Sequence, residues 1–236
     1  MLTSLVVGAV LMNALALALV LARGPAFGTR VYRPMLLNLA LSVAPLVLLG
    51  VVALVWVLLL HEGWTAVGYV VLAVGAVVWL LLLPNAAYLI TELNLSHRQP
   101  HERVPLWYDV LLVLVLAMSG VLNTVLNVFV VQLEWVLVTS GDDARALADR
   151  GSVALCVGIL LLVGFGIYLG RDVRLNSWDV RHPSSLVRKV VRHVRQPGGL
   201  AGMVWFTLLT ALFLGLMYLV VIGPVIRGLV LIEQAR

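Results

Sequence analysis

The sequence predicts an all-α fold: a polytopic transmembrane helical bundle of about six spans, with a basic amphipathic helix on its surface. Three observations lead there. Hydrophobic residues make up 62% of the 236 residues and mean hydropathy is +1.08; a soluble domain is about 45–50% apolar, so the excess must face lipid. Charged residues make up only 11%, against about 25% in soluble domains, which leaves no room for a separate soluble unit; residues 1–236 read as one membrane-embedded domain. Finally, apolar runs recur near the length of about 20 residues that carries a helix across the hydrocarbon core.

Taken in order, the first run covers 2–22. No Lys or Arg precedes it and it is longer than a signal-peptide core, so it reads as a retained first span. The runs 34–60 and 106–138 exceed the minimum length, which predicts tilt, a kink at Pro45 in the former, or extension beyond the bilayer. The run 65–83 ends at Pro84, and 152–170 and 201–224 complete the set. The intervening segments at 23–33, 84–105 and 171–200 carry twelve Lys and Arg residues, and the remainder of the chain carries four. The positive-inside rule places the twelve in the cytoplasm and both termini outside, along with the acidic segment from Gly141 to Arg150. Fifteen of the sixteen basic residues are Arg and one is Lys189, which fits a GC-rich bacterial genome and hence the bacterial inner membrane. Because the positive charge sits in the loops, anionic lipid on the cytoplasmic leaflet, and not nucleic acid, is the expected partner. Cys156, the single cysteine, lies mid-span and reads as a small apolar filler.

Residues 184–196 place Val187, Val190, Val191 and Val194 on one helical face, with Arg188, Lys189, Arg192, His193 and Arg195 around the rest. Pro183 precedes this segment and Pro197-Gly198-Gly199 ends it, so it reads as a basic helix lying on the inner leaflet.

Three short stretches stand out from the apolar background. In Leu83-Pro84-Asn85-Ala86-Ala87-Tyr88, Pro84 should break or kink the third span and Asn85 should cap a short new helix, on which Tyr88, Thr91, Glu92 and Leu95 share a face. Trp107-Tyr108-Asp109 opens the fourth span, with its rings suited to the interface and its carboxylate to a helix N-terminus. Along this span, Asp109, Gly120, Asn123, Asn127 and Glu134 form a polar stripe that should face the bundle interior. The third stretch runs from Gly164 to Asp179. There Gly166 and Gly170 allow close helix approach, within the chain or between chains. Arg171 and Arg174 follow one turn apart, and Asn176, Ser177 and Asp179 form a polar turn.

Together the three stretches resemble the bacterial membrane-protein family known as domain of unknown function 1361, whose signatures are a Leu-Pro-Asn-Ala-Pro-Tyr-like run, a Trp-Tyr-Asp and an Arg-x-x-Arg-x-Asn-Ser-Trp-Asp. They stand here as Leu83 to Tyr88, Trp107 to Asp109 and Arg171 to Asp179, and the resemblance covers roughly residues 35–225. Ala87 replaces a frequent Pro, which relaxes the turn, and Glu92 replaces a frequent Asp, which lengthens the reach. The resemblance implies a multi-span bacterial membrane protein and brings no catalytic residue with it.

On this topology the motifs converge at the cytoplasmic rim. The candidate polar site comprises Asn85, Tyr88, Glu92, Asp109, Arg171, Arg174, Asn176 and Asp179, with His97 and Asp172 nearby. Guanidinium pairs suit phosphate, so a lipid headgroup or a lipid-linked envelope precursor is the leading expectation, as ligand or as substrate. A structural reading stands beside it, in which Asp109 pairs with Arg171 or Arg174 to tie two spans together. A metal site built from Glu92, His97, Asp109 and Asp179 lacks any diagnostic spacing, so no metal and no cofactor is assigned. A small-solute transporter using the Asn123–Asn127 stripe, or an assembly partner in the membrane, complete the alternatives; the uncharged mid-span residues Asn13, Asn38, Ser42 and Thr207 argue against proton coupling.

The orientation is directly testable. With Val190→Cys in a Cys156→Ser background, intact cells should leave the new thiol unreacted with an impermeant thiol reagent. Labelling there would invert the topology.

Overall fold

The computed structural model describes residues 2–30, 32–94, 104–141, 143–173 and 183–234. Eight α-helices and two 3-10 segments fill them: α1 Leu2–Phe27, α2 Arg33–His61, α3 Thr65–Leu82, α4 Pro84–Tyr88 running into a 3-10 turn Leu89–Asn94, α5 Leu106–Ser140, a 3-10 turn Ala144–Ala148, α6 Arg150–Arg171, α7 Pro183–Val194 and α8 Gly199–Gln234. No strand occurs among the described residues. Six stretches are long and apolar enough to cross a membrane: α1, α2, α3 continued through Leu93, α5, α6 and α8. The fold is therefore an all-α bundle of a multi-pass membrane protein.

The helix ends depart from the hydropathy boundaries in ways that matter. α1 runs on past residue 22 through Arg23 and Pro25. α8 continues through Pro224, which a helix tolerates in lipid when neighbouring groups satisfy the freed backbone, and extends to Gln234. At about 1.5 Å per residue, the 35 residues of α5 and the 36 of α8 are each longer than a bilayer core of about 30 Å.

α5 is the centre of the bundle. In its most apolar stretch 72% of the residues are buried, against 17–39% in the other five spans. It packs on α1, α2, α4, α6 and α8, and Trp79 of α3 reaches it through an indole hydrogen bond to Asn127 Oδ1 at 2.9 Å. α2 pairs with α3, and α6 with α8, as two flanking hairpin-like pairs. The exposed apolar residues lie on the outer faces of these peripheral helices, among them Val10, Val47, Val70, Leu81 and Val220, where lipid is their solvent.

Pro84 divides the third span, with α3 ending at Leu82 and the short α4 starting at Pro84, without turning the chain aside. Leu83 keeps right-handed helical dihedrals (φ −55°, ψ −38°) and Pro84 occupies the first turn of α4, the position where a missing N–H costs least. Asn85 is accordingly inside the helix and caps nothing. Ala86 N turns to Leu83 O at 2.9 Å, and Asn85 Nδ2 donates to the released Leu82 O at 2.9 Å. The short helix is a wedge packed against α2, α5 and α6, with Leu83, Ala86, Ala87 and Leu89 fully buried.

Small residues on the neighbours make room for that wedge. A Cβ at Gly120 of α5 would sit 2.9 Å from Ala86 O and from Leu89 Cβ, and one at Gly166 of α6 would collide with the Pro84 ring. A Cβ at Gly170, one turn on, would sit 3.7 Å from the Tyr88 ring. Gly166 and Gly170 thus receive Pro84 and Tyr88 within the chain. Gly166→Ala should lower stability by about 1–3 kcal/mol through overpacking, read as a fall in Tm in detergent. Gly158→Ala on the same helix, where nothing lies within 4 Å of the added methyl, should leave Tm unchanged or raised.

Candidate functional site

The end of the bundle where α1 and α6 finish and α2, α5 and α8 begin carries the predicted site, and it divides into three parts. The first is a buried ion pair. Arg23 Nε donates to Asp109 Oδ1 at 3.0 Å, with the side chains 3% and 0% exposed. Arg23 Nη1 also donates to Thr29 Oγ1 at 3.4 Å, and Thr29 Oγ1 donates back to Arg23 O at 3.2 Å. Tyr108 OH bonds Leu19 O at 2.7 Å, and its ring packs edge-on against Phe27 at 4.9 Å. Asp109 therefore ties α5 to α1 through Arg23, a residue the sequence reading did not weigh, while Arg174 lies outside the described residues. The reason is helix length: α1 stays helical through Gly24 and Pro25, which holds Arg23 against the first turn of α5.

The second part lies between α2 and the 3-10 turn after α4. Glu92 is 9% exposed, and its Oε1 accepts from Asn38 Nδ2 at 2.8 Å. One turn on, Ser42 Oγ donates to Ala86 O at 2.8 Å and accepts from Asn123 Nδ2 at 2.9 Å. Asn123 and Asn13 exchange amide bonds at 2.8 and 3.0 Å, and Asn127 Nδ2 donates to Asn123 O at 2.8 Å. Asn123 and Asn127 are 2% and 0% exposed. The polar stripe is thus a ladder of interhelical hydrogen bonds that links α1, α2 and α3 to α5, and through Ser42 links α2 to α4.

The third part is open. Arg171 and Asp172 are exposed at the end of α6, and Asn85 and Tyr88 are half-buried beside them on α4. α7 exposes Val187 (56%) and Val191 (40%) together with Arg188 and Arg192, and exposed Arg195 follows its last residue. It is fastened to the bundle at its C-terminal end, where Tyr168 OH and His193 Nε2 share a 2.6 Å hydrogen bond and their rings meet edge-on at 5.5 Å. Phe206 of α8 packs on the same tyrosine at 5.5 Å. Gly198, at φ 78°, then turns the chain into α8, a conformation that suits glycine. Arg174, Asn176 and Asp179, with His97, lie outside the described residues.

The structure therefore brings Tyr88 against the last turn of α6 beside Arg171, pairs Asp109 with Arg23, and encloses Glu92. Among the described residues no three His, Cys, Asp or Glu side chains lie close enough together to hold a metal ion. Sequence reasoning missed Arg23, Asn38, Ser42, Trp79 and the Tyr168–His193 bond as working parts. An available signal was the i, i+4 spacing of Asn38 and Ser42, which puts an amide and a hydroxyl on one face of an otherwise apolar span.

The sequence profile of the family described as Protein of unknown function (DUF1361) matches residues 37–221, which takes in α3, α4, α5, α6 and α7 whole and most of α2 and α8. No curated protein matches the chain, and no solved structure does.

Removing one member of a buried pair strands the other charge, at about 3–5 kcal/mol. Arg23→Ala and Asp109→Asn should each lower Tm in detergent strongly. Arg171→Ala, at an exposed position, should stay within about 0.5 kcal/mol. Equal losses at all three positions would contradict this division of the site.

Proposed function

The chain belongs to that family of proteins of unknown function, and from this premise we propose that its basic end binds the phosphate of an anionic lipid headgroup or lipid-linked envelope precursor at the inner leaflet of a bacterial cytoplasmic membrane. One observation carries the reading: α7 presents exposed valines and exposed arginines on the same helix while its far end is pinned to α6 through His193 and Tyr168. An amphipathic helix of this kind buries its apolar face at the headgroup boundary and sets its cations against lipid phosphate.

The surroundings support it. Trp107 and Trp205 are each 64% exposed at the same end, as suits rings at headgroup depth. Arg171 stands at the rim beside Tyr88, where a planar guanidinium can engage phosphate through two parallel bonds. The stripe of α5 supports a structural use over transport, because Asn123 and Asn127 direct their side chains to Asn13, Ser42, Trp79 and the α5 backbone. The twelve-to-four imbalance of Lys and Arg in the sequence supports an inner-leaflet position for this end.

The test is native mass spectrometry of protein released from nanodiscs that mix phosphatidylglycerol with phosphatidylcholine. Wild type should retain phosphatidylglycerol preferentially. Arg171→Ala/Arg188→Ala/Arg192→Ala should lose that preference by about tenfold or more, since each surface cation contributes about 1 kcal/mol near anionic lipid, with Tm unchanged. Equal retention of both lipids by wild type would sink the reading.

A further inference from the structure

The opposite end of the bundle holds a cavity of about 380 Å³ between the last turns of α5, the 3-10 turn Ala144–Ala148 and the last turns of α8. Its floor is apolar, with Leu133, Val136, Leu137 and Leu229 among the lining residues. The charged residues that line it are both carboxylates, Asp143 and Glu233. Each is held in place by a backbone N–H: Glu233 Oε2 accepts from Ala144 N at 2.8 Å, and Asp143 Oδ1 accepts from Arg145 N at 2.9 Å. A carboxylate has about four acceptor positions, so both retain capacity beyond those bonds.

Depth is set by the aromatic residues of α5. Trp107 and Trp135 are exposed and 28 residues apart. At about 1.5 Å per residue they are about 42 Å apart, close to the full thickness of a bilayer with its headgroups, about 40–45 Å. The cavity, which begins at Leu133, thus opens at the headgroup level of the leaflet opposite the basic end. An apolar floor under two like charges at that depth is complementary to a molecule with an acyl chain and a cationic head.

We propose that this cavity binds the head and upper chain of an amine-headed membrane lipid. The apolar floor takes methylenes of the chain, at about 0.8 kcal/mol per buried CH₂. The primary ammonium donates charge-assisted hydrogen bonds to Asp143 and Glu233. A quaternary ammonium has the charge but no N–H to donate, so the site distinguishes phosphatidylethanolamine from phosphatidylcholine. This second lipid site is independent of the phosphate site at the basic end and has the opposite sign of charge.

The experiment is native mass spectrometry of the full chain from nanodiscs containing phosphatidylethanolamine and phosphatidylcholine in equal parts. Wild type should retain phosphatidylethanolamine about tenfold over phosphatidylcholine, one factor of ten being the yield of a single such bond. Asp143→Asn/Glu233→Gln should abolish the preference, while both amides can still accept from the Ala144 and Arg145 N–H groups and keep the fold. Each single variant, read alone, keeps the test open if the double variant fails to fold. Arg171→Ala/Arg188→Ala/Arg192→Ala should leave the amine preference intact, which separates this site from the basic one. Equal retention of the two lipids by wild type, or a preference that survives both carboxylate substitutions, overturns the proposal.

Discussion

Inside a bilayer every polar group must find its partner within the protein, because lipid offers none. α5 concentrates that demand. It carries Asp109, Ser119, Asn123, Thr124, Asn127 and Gln132, all buried, along a mostly apolar helix. Arg23 and Asn13 of α1, Ser42 of α2 and Trp79 of α3 answer from one side. From the other, Gln132 donates to Leu147 O at 2.9 Å and to Ser152 Oγ at 3.0 Å, and accepts from Tyr218 OH of α8. Each neighbouring span is thereby tied to α5 by at least one hydrogen bond.

The first family motif is part of the same solution. Pro84 permits a change of hydrogen-bond register just where the chain leaves α3, and the resulting turn lets Ala86 O meet Ser42 and lets the wedge settle against Gly120, Gly166 and Gly170. A motif of this kind invites a reading as a surface site, yet five of its residues and their successor Leu89 are sealed in the core or half-buried against glycines. What is left open at the basic end is Arg171 and the arginine and valine surface of α7. The two ends of the bundle then differ in kind: one exposes cations on an amphipathic helix, the other sets carboxylates over an apolar cavity.

Hydropathy made the six spans legible, because crossing a bilayer imposes a length and composition that any window of the sequence reveals. Periodicity likewise disclosed that Asn123 and Asn127 share a face, and that the valines of α7 share another. It could not disclose which helices would answer them, since the partners lie far along the chain: Asn13 is 110 residues from Asn123, and Arg23 is 86 from Asp109. Local signals also misled. The first apolar run stops at residue 22 while α1 stays helical to Phe27, and Asn85 lies inside α4 instead of capping it. Arg174, Asn176 and Asp179 lie outside the described residues, so for these the sequence reading stands by itself.

The account turns on α5 being sealed by its neighbours, and the most direct measurement is the water accessibility of its polar face at mid-depth. Leu116 lies about two turns before Asn123 on that face, fully buried, and only its carbonyl takes a side-chain bond, from Ser119 Oγ, so a thiol placed there reports without removing the ladder. With Leu116→Cys in a Cys156→Ser background, a small polar methanethiosulfonate should leave the folded protein unmodified from both sides of the membrane and react only after denaturation. Rapid modification of the folded protein would mean that water reaches the stripe, and that its asparagines line a path instead of holding the bundle together.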